Sequence, residues 1–100
     1  MRDRHSPSPP TDQEHEALFF KRVGKNIREF RERHNTTQRE LAKRAGLKAP
    51  YLNDVEKGRR NFSMRILLKL CKALDASPAK LLHGTERYAL VLEHERNMEG

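Results

Sequence analysis

The residues best equipped for molecular recognition lie between Gln38 and Asn61. In the segment KAPYLNDVEK, Leu52 and Val55 mark one side of a short helix, and Lys48, Ala49, Pro50, Asn53, Asp54 and Lys57 fall on the other. These are groups that recognise rather than react. The Asn53 amide can donate and accept, Asp54 can accept or pair with a cation such as Lys57 at i+3, and Ala49 offers only apolar contact. Arg59, Arg60 and Asn61 follow as a basic loop. Upstream, the amide hydrogens that open a helix at Gln38 and Arg39 form an anion-friendly terminus. Catalysis lacks its parts: His5, His15, His34, His83 and His94 are dispersed, and no H-E-x-x-H, paired C-x-x-C or glycine-rich phosphate loop occurs. The chain is therefore read as a non-enzyme, with no metal or cofactor.

To present that outer face, two short helices must cross at a turn. Leu41, Ala45, Leu47, Leu52 and Val55 can face inward, Ala42 is small enough for a close crossing, and Gly46 can take the positive φ of the turn. Gln38 to Lys57 thus reads as a helix-turn-helix, whose second helix turns its outer face to a DNA major groove. Thr37 and Glu40 form a T-x-x-E capping box at the start, and Pro50 falls in the first turn of the second helix, where a missing N–H costs little. Gly58 ends that helix.

The surrounding elements follow from the same signals. Thr11 and Glu14 offer another capping box, starting a first helix near Asp12 that carries a stripe of Phe20, Val23, Ile27 and Phe30 and ends near His34. Ser63 can cap a fourth helix with the stripe Met64, Leu67, Leu70, Cys71 and Leu74. Ser77 and Pro78 open a short fifth helix that ends before Gly84. The fold class is all-α, five helices over residues 12–84, with no strand signal. Residues 1–11 are polar and proline-rich and are expected to be a disordered tail. In residues 85–100, Tyr88, Val91, Leu92 and Glu95 sit at helical spacing. An additional terminal helix there would pack on its own domain or serve dimerisation.

Charge agrees with a polyanionic partner. The chain has 21 Lys and Arg against 14 Asp and Glu, a formal charge of +7, but residues 16–84 hold 17 against 7. The positive excess lies on the folded part, as nucleic-acid binding requires, although a generally basic soluble protein would share it. Cys71 stands alone, so it forms no internal disulfide and reads as a small core residue. No apolar stretch approaches the ~18 residues of a membrane span, and no signal peptide is visible, so the cytoplasm is the expected location.

From Val23 to Leu82 the chain resembles the Xre-type, lambda-repressor-like DNA-binding domains. The resemblance rests on VGKNIREFRERHNTTQRELAKRAGL, YLNDVEKGRRN and LLKLCKALDASPAKLL, in that order. It implies a compact five-helix domain whose third helix enters the major groove, with dimers on paired half-sites. It also implies an ion pair between Arg31 and Glu56 that joins the first helix to the third. By the same motif positions, Lys48, Ala49, Pro50, Asn53 and Asp54 are candidates for base edges. Asn53 would take adenine or a phosphate, and Asp54 a cytosine amino group unless a cation claims it. Gln38, Arg39, Tyr51, Lys57, Arg59, Arg60 and Asn61 are candidates for phosphates. Phe62 stands where the family often has proline, which puts the loop before the fourth helix in question.

The expected function is a sequence-specific transcriptional regulator, a repressor or autoregulator that binds double-stranded DNA at a palindromic operator as a homodimer, bacterial or phage-encoded. The length leaves no room for a large ligand-sensing domain, so control is expected from protein level, turnover or a protein partner. The rival is an adaptor or antirepressor on the same scaffold, with weak or no DNA binding.

Overall fold

Two reciprocal capping boxes set the first two helices of the chain, in a computed structural model that describes residues 11–88. Helix α1 spans Asp12–Arg33: the Thr11 hydroxyl accepts from the Glu14 amide at 3.1 Å, and Glu14 Oε1 accepts from the Thr11 amide at 2.7 Å. Helix α2, Gln38–Ala45, repeats the device at Thr37 and Glu40, at 3.0 and 2.9 Å. These bonds satisfy amide hydrogens that the first turn leaves without partners.

The backbone N–H of Thr11 holds the Glu14 carboxyl below its ordinary value of 4.5, and that of Thr37 does the same for Glu40. Both groups are depressed in the folded chain, so their contribution is complete above pH 4.5 and is lost as the pH falls through the lowered values. A Glu14→Gln/Glu40→Gln variant keeps the hydrogen bonds without the charge. Its thermal midpoint is expected to fall less steeply than that of the unchanged chain between about pH 6 and about pH 3. Parallel curves would remove the two carboxylates from the account.

Helix α3, Ala49–Glu56, begins after Lys48 with Pro50 in its first turn, and Gly46 makes the turn before it at φ 69°. Helix α4, Met64–Leu74, is capped by Ser63, and α5, Pro78–Leu81, by Ser77. Residues 86–88 are helical again, so a sixth helix opens where the described residues end. Of the residues expected to form its stripe, Val91, Leu92 and Glu95 lie outside the described residues, as does most of the expected N-terminal tail.

The stripes converge on one core: Val23, Ile27 and Phe30 of α1, Leu41, Ala42 and Ala45 of α2, Leu52 and Val55 of α3, Leu67, Leu70, Cys71 and Leu74 of α4, and Leu81 of α5. Burial also raises the Cys71 thiol above its ordinary range, so it stays protonated and packs as a small apolar group. Two members of the expected stripes differ. Met64 is 65% exposed, because it is the first residue of α4 and lies past the edge of the core, where partly buried Ile66 packs instead. Phe20 is only half-buried and sits edge-to-face on Phe62, with ring centroids 5.0 Å apart. Phe62 thereby anchors the loop before α4 on α1.

A polar residue closes the other end of the domain. Asn26, buried within the α1 stripe, donates through Nδ2 to the carbonyls of Leu81 at 2.9 Å and His83 at 2.8 Å. It satisfies carbonyls at the end of α5 that the helix cannot pair itself.

Candidate nucleic-acid interface

The α2–turn–α3 unit is held from behind by α1, and three features fix its angle. The first is steric. Gly24 lies against the last turn of α3, where a Cβ would come within 2.7 Å of the Glu56 carbonyl oxygen and still closer to that of Val55. The second is electrostatic. Arg31 Nε donates to Glu56 Oε2 at 2.7 Å and Nη2 to Oε1 at 3.0 Å, while Nη1 donates to the Thr36 carbonyl at 2.8 Å. The Glu56 side chain is 2% exposed and that of Arg31 11%, so the pair is fully formed away from water. The hydrogen bonds to Glu56 raise the Arg31 guanidinium further above its already high range. The third is an amide bridge: Gln38 Nε2 donates to Glu56 Oε1 at 2.9 Å and to Asn53 Oδ1 at 3.2 Å. A single chain of bonds therefore runs from α1 through the buried carboxylate to the outer face of α3.

That face is exposed at Lys48 and Pro50 and half-buried at Ala49, Tyr51, Asn53 and Asp54. Asp54 pairs with Arg60, Nε to Oδ2 at 3.6 Å, and not with Lys57, because the loop after α3 folds Arg60 back across the Tyr51 ring at 5.5 Å. The Asp54 carbonyl also accepts from the Arg59 amide at 2.8 Å, which sets that fold-back. Asn61 donates to Glu16 of α1 at 2.6 Å, so its exposed amide is engaged by a carboxylate on α1. Gln38 likewise has both side-chain hydrogens engaged, which leaves its backbone N–H at the start of α2 for an anion. Arg39, Lys57 and Arg59 remain exposed.

The loop cations have neighbours that the motif alone did not indicate. Lys57 and Arg59 share a shallow cleft with Lys21, Arg22, Lys25 and Arg28 of α1, in whose lining Glu56 is the one carboxylate. Lys21, Lys25 and Arg28 recur at helical spacing, a pattern visible in the sequence once α1 is known to lie beside α3. Among the described residues, no group of His, Cys, Asp and Glu is placed to hold a metal ion. No helix among them is long and apolar enough to cross a membrane.

Comparison with known proteins points the same way. A helix-turn-helix family model matches residues 27–81. The control protein C.SmaI from Serratia marcescens is 38% identical over 60 residues, which are 60% of this chain and 71% of that protein. The crystal structure of the restriction-modification controller C.AhdI from Aeromonas hydrophila is 39% identical, with a TM-score of 0.61 over 62% of this chain and 94% of its own. That of the clp gene regulator ClgR from Corynebacterium glutamicum is 31% identical, with a TM-score of 0.62 over 92% of each chain.

Proposed function

The chain belongs to the Xre-type, lambda-repressor-like helix-turn-helix family, and we propose that it is a DNA-binding transcriptional regulator that holds a palindromic operator as a homodimer. In this reading α3 lies in the major groove and two copies sit about one helical turn apart, ~34 Å. The observation that carries it is the rigid mounting of α3 on α1 beside a cluster of cations. Such a unit can place phosphate contacts and base contacts in one register. Arg39, Lys57, Arg59 and the α2 terminus would bind phosphates, while Lys48, Ala49, Pro50 and Asn53 would approach base edges.

Asp54 is compatible with this reading, since Arg60 stands beside it as a counter-charge. That pairing also favours a structural role for Asp54 over cytosine readout, and it tilts the choice away from an adaptor that has lost DNA. The relatives' role as controllers supports a repressor or autoregulator acting in the cytoplasm, with no catalytic activity of its own.

Salt dependence tests the proposal. Each phosphate contact contributes about −0.9 to the slope of log affinity against log salt. A dimer with three phosphate-neutralising cations per copy, Arg39, Lys57 and Arg59, should show a slope of about −5, and Arg59→Ala should make it shallower by about 2, one contact per copy. Affinity for duplex DNA that is absent at low salt, or insensitive to salt, would exclude the regulator.

A further inference from the structure

Arg60 lies over the outer face of α3, although it belongs to the loop that follows. Successive helical residues turn by about 100°, which puts Pro50 and Asp54 within about 30° of the direction opposite the buried seam of Leu52, Val55 and Glu56. Asp54 is therefore central on that face. The Arg60 guanidinium is folded back onto it, with Nε 3.6 Å from Oδ2 and Cζ 5.5 Å from the centre of the Tyr51 ring. The Arg60 side chain is 54% exposed, and its Nη1 and Nη2, with four N–H groups between them, have no partner among the described residues. Ala49 and Pro50 bring no polar side-chain group to this face. The planar fork supplied from the loop stands where the helix itself offers few donors.

We infer that Arg60 reads guanine, rather than binding the phosphate that its loop position suggests, and that Asp54 is the residue that positions it. The inference rests on the DNA-binding reading above, in which this face meets the floor of the groove. A phosphate approaching Arg60 there would also meet the Asp54 carboxylate, a like charge that offsets the attraction. The major-groove edge of guanine carries no net charge and escapes that penalty. It presents two adjacent acceptors, N7 and O6, which two parallel N–H groups of one guanidinium can engage together. Adenine sets its N6 donor where guanine has O6, so donor would meet donor. The ion pair and the ring contact also hold the fork before DNA arrives, which lowers the cost of ordering a long side chain.

Selection of sites from a randomised duplex pool by the unchanged chain, Arg60→Ala and Asp54→Asn tests this, with affinities then measured against salt. The unchanged chain should favour guanine over adenine about tenfold at one position of each half-site. Arg60→Ala should bring the two within about threefold there, leave other positions unaltered and keep the salt slope, whereas Arg59→Ala makes the slope shallower. Asp54→Asn should separate affinity from selectivity. It removes a negative charge from the face and releases Arg60 toward phosphate, so a scrambled duplex should be bound severalfold more tightly and the salt slope should steepen by about 2. The guanine preference should fall to within about threefold in the same variant. A 7-deazaguanine at that position removes N7 without altering the protein. It should weaken the unchanged chain severalfold and leave Arg60→Ala unaffected. Arg60→Ala that weakens every sequence equally and makes the slope shallower by about 2 would overturn the inference, since that is the signature of a phosphate contact. A 7-deaza site bound at full strength by the unchanged chain would overturn it too, as would Asp54→Asn that retains the guanine preference. In these three cases the unchanged chain still selects a site, so the DNA-binding reading stands. A pool from which the unchanged chain enriches nothing sinks that reading and this inference with it.

Discussion

Arg31→Ala is expected to destabilise the domain by about 3–5 kcal/mol, because it leaves the buried Glu56 carboxylate without its cation. Removing one partner of such a pair costs far more than the pair contributes, since the remaining charge has no water to return to. The Thr36 carbonyl loses its donor as well, at the turn between α1 and α2. A domain of this length has a total stability of roughly 5–10 kcal/mol, so the variant would be marginal or unfolded at physiological temperature. Loss of DNA binding would then be a consequence of unfolding. Urea titration followed by helical circular dichroism reads the effect, and an unchanged midpoint would remove the ion pair from the list of structural devices. Arg31→Met combined with Glu56→Leu deletes both charges and should recover much of the loss.

Gly24→Ala should reverse the usual sign of its substitution. Replacing glycine by alanine inside a helix ordinarily stabilises by about 1 kcal/mol. Here the added methyl meets the carbonyls of Val55 and Glu56, which are backbone and cannot rotate away. We expect a loss of about 1–3 kcal/mol, the usual cost of overpacking, and a displaced α3. Gly46→Ala supplies the contrast. Nothing lies within 4 Å of its Cβ position, so its cost is the left-handed backbone alone, about 1–2 kcal/mol. At a temperature where both variants are folded, Gly24→Ala should lose more operator affinity than Gly46→Ala, since only the former moves the recognition helix. Equal affinities would show that α3 tolerates a shift against α1.

Elements whose signals are local were legible in the sequence. Thr11 with Glu14, Thr37 with Glu40, Ser63 and Ser77 each start a helix where their capping chemistry places it, and Gly46 turns where only a positive φ fits. The Arg31–Glu56 contact was reached through family resemblance, because 25 residues separate the partners and no local rule couples them. What stayed hidden depends on the packing of elements distant in sequence. Asn26 looks like an interruption of an apolar stripe until the end of α5 is laid against it. Gly24 looks like a weak point in a helix until the last turn of α3 arrives. Asp54 had two cations in reach, and the course of the loop, not the spacing, selected Arg60 over Lys57. Gln38 is the most instructive residue of the interface. Its type and position suggest a phosphate ligand, yet the Glu56 carboxylate and the Asn53 amide oxygen, both from α3, take its two side-chain hydrogens.

Selection of binding sites by the unchanged chain, followed by affinity measurement on the winner and a scrambled duplex, most directly tests recognition by a rigidly mounted α3. Two inverted half-sites about one helical turn apart should be enriched, and the winner should bind at least ~1,000-fold more tightly than the scrambled duplex at the same salt. A pool that stays random, or equal affinity for the two duplexes, would contradict sequence-specific recognition by this face.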